Sequence, residues 1–186
     1  MSRLPSLPDP TDLFDVIKEY PKFAKPYFEL SHLIMRGESP LGAGERELIG
    51  AFVSGLNSCD YCYGIHKDVA DAFGLEEGMI EQLMTDHNKA PISAKMKALL
   101  SYVKKLTEVP SRLTDSDASL VLDAGYSEEA LHDAIYVCAI FCFTNRIVAG
   151  TGVTLSENSM IPRDVARDDD LYLQFYSELE LKQDRP

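Results

Sequence analysis

A chain of 186 residues with 45% hydrophobic and 26% charged residues has the make-up of one globular domain with extensions. Its formal net charge of -12 argues against nucleic-acid binding and against adsorption to anionic membranes, since both recruit Lys and Arg. Residues 1–10 lack the apolar stretch of a secretory signal, and four cysteines are too few for a secreted disulfide scaffold, so a cytoplasmic protein is expected.

Residues 1–10, with Pro5, Pro8 and Pro10, read as an extended arm. Residues 12–20 form a short helix, and residues 22–35 a second one around Pro26, followed by a loop over 37–44. Residues 45–57 place Leu48, Ile49, Phe52, Val53 and Leu56 on one side of a helix. Glu47, Gly50, Ala51 and Ser54 share the other side, where small residues let a neighbouring helix approach and cover Glu47. Asn57 or Ser58 can cap the next helix, which ends near Gly74. A short helix is expected over 76–85. Pro91 opens another, with Met96, Leu99, Leu100, Val103 and Leu106 inward, and Pro110 stops it.

Thr114 and Asp117 resemble a capping box with Asp in place of Glu, and open a short helix before Gly125. Ser127 caps the longest helix, which runs to about Gly150. Its apolar run, 135–143, is too short to span a bilayer. Because the middle is apolar all round, burial is expected on every side, in part against another subunit. Residues 151–167 are irregular, and 168–181 form an amphipathic helix. The fold class is all-α.

The chemistry concentrates in Asn57-Ser-Cys-Asp-Tyr-Cys-Tyr-Gly-Ile-His66. At about 100° per residue, Cys59, Cys62 and His66 fall within one arc of a helix, and Val69, Ala70 and Phe73 extend it. Asp60, Lys67, Asp68 and Asp71 lie opposite. A Cys-x-x-Cys serves dithiol redox chemistry or metal binding, and the residues by themselves leave both open. At a helix N-terminus the unpaired N–H groups and the dipole stabilise a thiolate, which nominates Cys59. His66 is four residues past Cys62, so its ring can reach that sulfur and take its proton. Glu47 is either the carboxylate that orients His66 and relays a proton or a dipole-complementing surface residue; the sequence does not separate the two. Tyr61 and Tyr63 flank the thiols as packing residues. Cys138 and Cys142 read as small buried core residues.

The spacing Glu47, eleven residues, then Cys59-Asp-Tyr-Cys62-Tyr-Gly-Ile-His66 resembles the alkylhydroperoxidase D-like, or carboxymuconolactone decarboxylase, family. Glu-Arg-Glu-Leu-Ile before it and Phe143-Thr-Asn-Arg146 after it are similar to the family too, and the tail most resembles its peroxidase-related subgroup. The resemblance spans roughly residues 20–155. It implies a single-domain helical bundle, with 1–19 as an arm and short helix and 156–186 as a C-terminal extension. It implies a homo-oligomer, a trimer or a hexamer of dimers or trimers. It also implies a cofactor-free thiol peroxidase in which Cys62 attacks a hydroperoxide, Cys59 resolves it to a disulfide, and an external dithiol or protein reductant restores the thiols. His66 and Glu47 would form the proton relay, with no metal. Characterised members carry a His between the cysteines, where this chain has Tyr61. Three other readings use the same residues: a disulfide reductase or adaptor for a peroxiredoxin-like partner, a lactone decarboxylase, which needs no paired thiols, and a metal-binding structural oligomer.

Overall fold

Helical periodicity is realised along the chain: among the described residues there are ten α-helices and no strand. The computed structural model describes residues 1–74, 78–86, 89–156 and 159–183, with side chains to Ser177. Helix α1 (Leu13–Glu19) is closed by a reciprocal cap. The Asp12 carboxylate accepts from the Asp15 N–H at 2.8 Å, and the Asp15 carboxylate accepts from the Asp12 N–H at 3.1 Å. One tight turn, Pro21–Phe23, leads into α2 (Ala24–Arg36). Pro26 is tolerated because it lies in the first turn, where an N–H has no intrahelical partner anyway.

The next two helices, α3 (Ala43–Leu56) and α4 (Asp60–Ala72), form a hairpin. Its turn runs through Ser58 at φ 54. The expected capping by Asn57 or Ser58 is not what occurs. Cys59 takes the N-cap position, while Asn57 closes α3. Then follow α5 (Met79–Asp86), α6 (Ala94–Glu108), α7 (Asp115–Asp123) and α8 (Glu128–Thr151). The start of the helix expected at 76 falls outside the described residues. Ser93 and Ser127 cap α6 and α8 by accepting from the Met96 and Ala130 N–H groups, each at 3.1 Å. The Thr114 N–H donates to Asp117 at 2.7 Å, as the capping-box pattern predicts. The chain ends with α9 (Arg163–Ala166) and α10 (Leu171–Gln183).

The main core lies among α3, α6 and α8, where Ile49, Phe52, Val53, Leu99, Leu100, Val103 and Val137 are buried. A second cluster gathers Cys62, Ile65 and Val69 of α4 with Leu7, Val16, Val148 and Ala166. Leu171 and Tyr172 reach the main core, and α10 packs along α2.

Helix α8 meets its expected burial in part within one chain. Its 24 residues are long and apolar enough to cross a membrane by length and composition alone, although the run 135–143 is short. Here it packs against α2, α3, α6 and α7. Within the chain only one side is buried; Tyr136 (48%) and Phe143 (51%) stay exposed, so burial on every side is not reached.

The small face of α3 does what its composition suggests. Phe141 of α8 packs onto Gly50 so closely that an added Cβ would lie 2.3 Å from the ring. The same ring meets His66 edge-on at 4.5 Å. Gly50→Ala should therefore lower stability despite a helix-propensity gain of about 1 kcal/mol. Overpacking against a confined aromatic costs about 1–3 kcal/mol. Thermal unfolding of the variant checks this, and an unchanged or higher Tm would contradict the close fit.

Candidate functional site

Glu47 is fully buried in the middle of the molecule. A carboxylate there must be paired or it would be neutral. Its Oε1 accepts from Arg36 Nη1 at 2.6 Å and from the Tyr172 hydroxyl at 3.3 Å. Its Oε2 lies 2.6 Å from His66 Nδ1. With Nδ1–H donating to the carboxylate, Nε2 is left free of Glu47, an acceptor on the neutral ring and a donor on the protonated one. The Arg36 side chain is fully buried as well. It also donates to the carbonyls of Met35, Ala166 and Asp168 at 3.0, 3.2 and 3.3 Å, between the rings of Phe73 and Tyr172. Burial alone would raise the Glu47 carboxyl. The adjacent His66 and Arg36 outweigh it and hold the group below its ordinary 4.5. Burial, with Glu47 beside it, pushes the Tyr172 hydroxyl up, so it remains a donor.

The two thiols are free and unequal. Cys59 is 7% exposed and Cys62 2%. The Cys59 thiol is lowered to about 7, first because the Cys62 thiol donates to it. Burial opposes this, while the Cys62 N–H and the Asn145 amide reinforce it. The Cys62 thiol is pushed up by donating to Cys59 and by burial. The N-cap position of Cys59 agrees with that asymmetry, because the sulfur sits beside the unpaired N–H groups of the first turn. Asn145 is itself fixed on both sides: its amide donates to Ser54 Oγ at 3.1 Å, and its carbonyl accepts from Asn57 at 2.9 Å.

Cys62 and His66 border one cavity of about 70 Å³. Tyr27, Thr144 and Leu13 border it too, and also line an adjoining apolar cavity of about 240 Å³. Among the described residues no three His, Cys, Asp or Glu converge as metal ligands.

All four residues singled out from the sequence therefore meet around the α3–α4 hairpin. The His66 Nδ1 is turned to Glu47 rather than to the Cys62 sulfur. Glu47 is not on a solvated surface, which decides between its two readings in favour of a buried partner of His66. Tyr61 is a packing residue: its hydroxyl accepts from the Leu13 N–H at 3.4 Å and ties α1 to α4. Arg36, Tyr172 and Asn145 were not foreseen. Asn145 carried a signal, since an amide in an apolar helix must find a partner. Arg36 and Tyr172 carried none that spacing could reveal.

Comparison with known proteins agrees with this architecture. Residues 21–105 match the carboxymuconolactone decarboxylase family. The fold is similar to the alkylhydroperoxidase AhpD core of an uncharacterized peroxidase-related protein from Ralstonia eutropha JMP134. That match has a TM-score of 0.77 and 21% identity, over 87% of this chain and 96% of that one. It is also similar to an uncharacterized peroxidase-related protein from Silicibacter sp. TM1040, with a TM-score of 0.74 and 22% identity over 81% and 79% of the two chains. A protein of unknown function from Agrobacterium tumefaciens matches with a TM-score of 0.64 and 22% identity, over 76% and 97%. These identities speak for the fold alone. No curated protein matches the chain.

Two predictions follow from the geometry. Glu47→Gln leaves the Arg36 cation buried without its anion and should cost about 3–5 kcal/mol in urea unfolding at neutral pH. Because the folded carboxyl lies below its ordinary value, its contribution is full above 4.5 and lost as pH falls through the folded value. The gap between wild type and Glu47→Gln should therefore narrow on acidification; a pH-independent gap would contradict the ionised pair. Separately, Cys62→Ala removes the donor to Cys59. The pH profile of Cys59 alkylation, read by peptide mass spectrometry, should move upward from about 7.

Proposed function

We propose, from the site around the residues that match the carboxymuconolactone decarboxylase family, 21–105, that the protein is a thiol-dependent peroxidase. It reduces organic hydroperoxides through a Cys59–Cys62 dithiol/disulfide cycle. The observation that carries this reading is that Cys62 and His66 border one small cavity while Cys59 accepts a hydrogen bond from the Cys62 thiol. The adjoining apolar cavity suits a peroxide with an organic substituent.

The cycle begins when Cys62 attacks the peroxide as its proton passes to the Cys59 thiolate: an S–O bond forms, the O–O bond breaks, and Cys62 becomes a sulfenic acid. The departing alkoxide takes the Nε2 proton of the protonated His66 ring and leaves as the alcohol; one of the two protons that the reductant later brings restores it. Glu47 stays ionised and holds the ring by its Nδ1, stabilising the protonated imidazole rather than accepting the proton. Cys59 next attacks the Cys62 sulfur. The disulfide forms, and water leaves with the Cys59 proton. An external dithiol or protein reductant closes the cycle, in keeping with a reducing cytoplasm. The chain's own residues supply every proton step, so the reading calls for no cofactor, metal, nucleic acid or membrane.

Assembly into a homo-oligomer, a trimer or a hexamer of dimers or trimers, is part of the same proposal. It is supported by the exposed apolar side chains Phe23, Leu30 and Leu33 alongside Tyr136 and Phe143 of α8.

A second reading draws on the acidic Cys59 thiol: exchange with the disulfide of a partner such as a peroxiredoxin. Hydroperoxide consumption with a dithiol reductant separates the two. Under the first reading Cys62→Ser falls to background and His66→Ala slows turnover by about 10²–10⁴-fold. Undiminished consumption by Cys62→Ser would end it. An inert wild type whose Cys62→Ser or Cys59→Ser form traps a mixed disulfide with a partner would establish the second.

A further inference from the structure

The dithiol cycle takes place in the smaller of two cavities that meet. The smaller, of about 70 Å³, holds Cys62 and His66 against Phe28, Tyr61, Ile65 and Val69, all buried core residues. The larger, of about 240 Å³, lies between α1, α2 and the C-terminal half of α8, and among the described residues no Lys, Arg, His, Asp or Glu borders it. Three residues border both: Leu13 at the start of α1, Tyr27 in α2 and Thr144 in α8. They form the neck between the cavities. Thr144 donates to the Ile140 carbonyl at 2.9 Å, so its oxygen accepts from the Tyr27 hydroxyl, 3.2 Å away. Burial pushes the Tyr27 hydroxyl up to about 12, which keeps that donor protonated. The Tyr27 ring meets Phe28 edge-on at 5.2 Å and lies tilted against Phe143 at 6.2 Å. The neck is therefore held in shape, and both of its O–H groups are already used.

We propose that the larger cavity is the site for the hydrocarbon tail of the peroxide, and that Leu13, Tyr27 and Thr144 are specificity-determining residues that select unbranched, uncharged alkyl hydroperoxides over those branched at the carbon that bears the peroxide. The selection rests on the peroxidase reading; the tail site itself rests on the two cavities and their shared neck.

With the O–O bond at Cys62, an unbranched chain leaves the smaller cavity through the neck and buries its methylenes beyond it. Each methylene moved from water into an apolar site is worth about fourfold in binding. Branching beside the O–O bond puts the extra methyl groups on the Cys62 side of the neck instead. The walls there belong to the close-packed core and yield little. A charge carried into the larger cavity loses its water and gains no partner from the lining. Apolar walls with a few placed hydroxyls are the usual make-up of a small-molecule site.

The test uses the full chain and two readouts. With a dithiol reductant, kcat/KM should rise about fourfold per methylene along the primary n-alkyl hydroperoxides from ethyl to hexyl. tert-Butyl hydroperoxide should react at least about tenfold more slowly than its unbranched isomer. Exposed Ile147 borders the larger cavity and not the smaller, so Ile147→Trp should cut kcat/KM for hexyl hydroperoxide at least about tenfold and leave hydrogen peroxide turnover unchanged. The second readout needs no turnover: 1-hexanol, the product alcohol, should bind the Cys62→Ser protein and shift the NMR methyl signals of Thr144 and Ile147. Equal rates for the butyl isomers, an Ile147→Trp protein that loses hydrogen peroxide and hexyl hydroperoxide turnover alike, or methyl signals that hexanol leaves unmoved would each overturn the proposal. A wild type that consumes no peroxide but binds hexanol at these residues would end the peroxidase reading and still support the apolar site.

Discussion

A carboxylate without water is the constraint around which this molecule is organised. Moving Glu47 out of solvent carries a desolvation cost of several kcal/mol. Only full pairing offsets it. Arg36 from α2, His66 from α4 and Tyr172 from α10 supply that pairing around a residue of α3. The guanidinium needs partners of its own, and it takes carbonyls from Ala166 and Asp168 near α9. One buried charge pair thus fixes how the C-terminal helices lie over the α3–α4 hairpin. It also fixes which nitrogen of His66 is available to the cavity.

The thiols draw on a different resource, the end of a helix. Cys59 at the N-cap and Cys62 in the first turn share one proton, and the sulfur beside the unpaired N–H groups keeps the negative charge. Cys62 borders the cavity and Cys59, the more exposed of the two, does not, so cavity contact and acidity are divided between the two sulfurs. That division reconciles helix-dipole reasoning, which points to Cys59, with the family resemblance, which assigns the attack to Cys62. The proposed cycle uses both, with Cys62 toward the peroxide and its proton acceptor behind it.

The helices, most of their ends, and the shared helical face of Cys59, Cys62 and His66 were legible in the sequence, because they follow from periodicity, caps and spacing over short distances; the place of Glu47 beside His66 was implied only by the family resemblance. The small face of α3 was legible for the same reason: Gly50 and Ser54 made room that Phe141 and Asn145 of α8 fill. Arg36 and Tyr172 were not. Each stands in an ordinary helical position, and its role exists only once distant helices pack together. Asn57 was misread for a physical reason: an Asn before a helix resembles a cap, but its amide bridges Asn145 and Cys142 instead. The apolar circumference of α8 announced burial that one chain does not provide.

The most direct test of the central claim is a count of free thiols before and after an equimolar organic hydroperoxide, with mass spectrometry of the peptide that holds both Cys59 and Cys62. Rapid loss of these two thiols as a Cys59–Cys62 disulfide is the predicted result. Cys59 and Cys62 that both remain reduced while the peroxide persists would contradict the account.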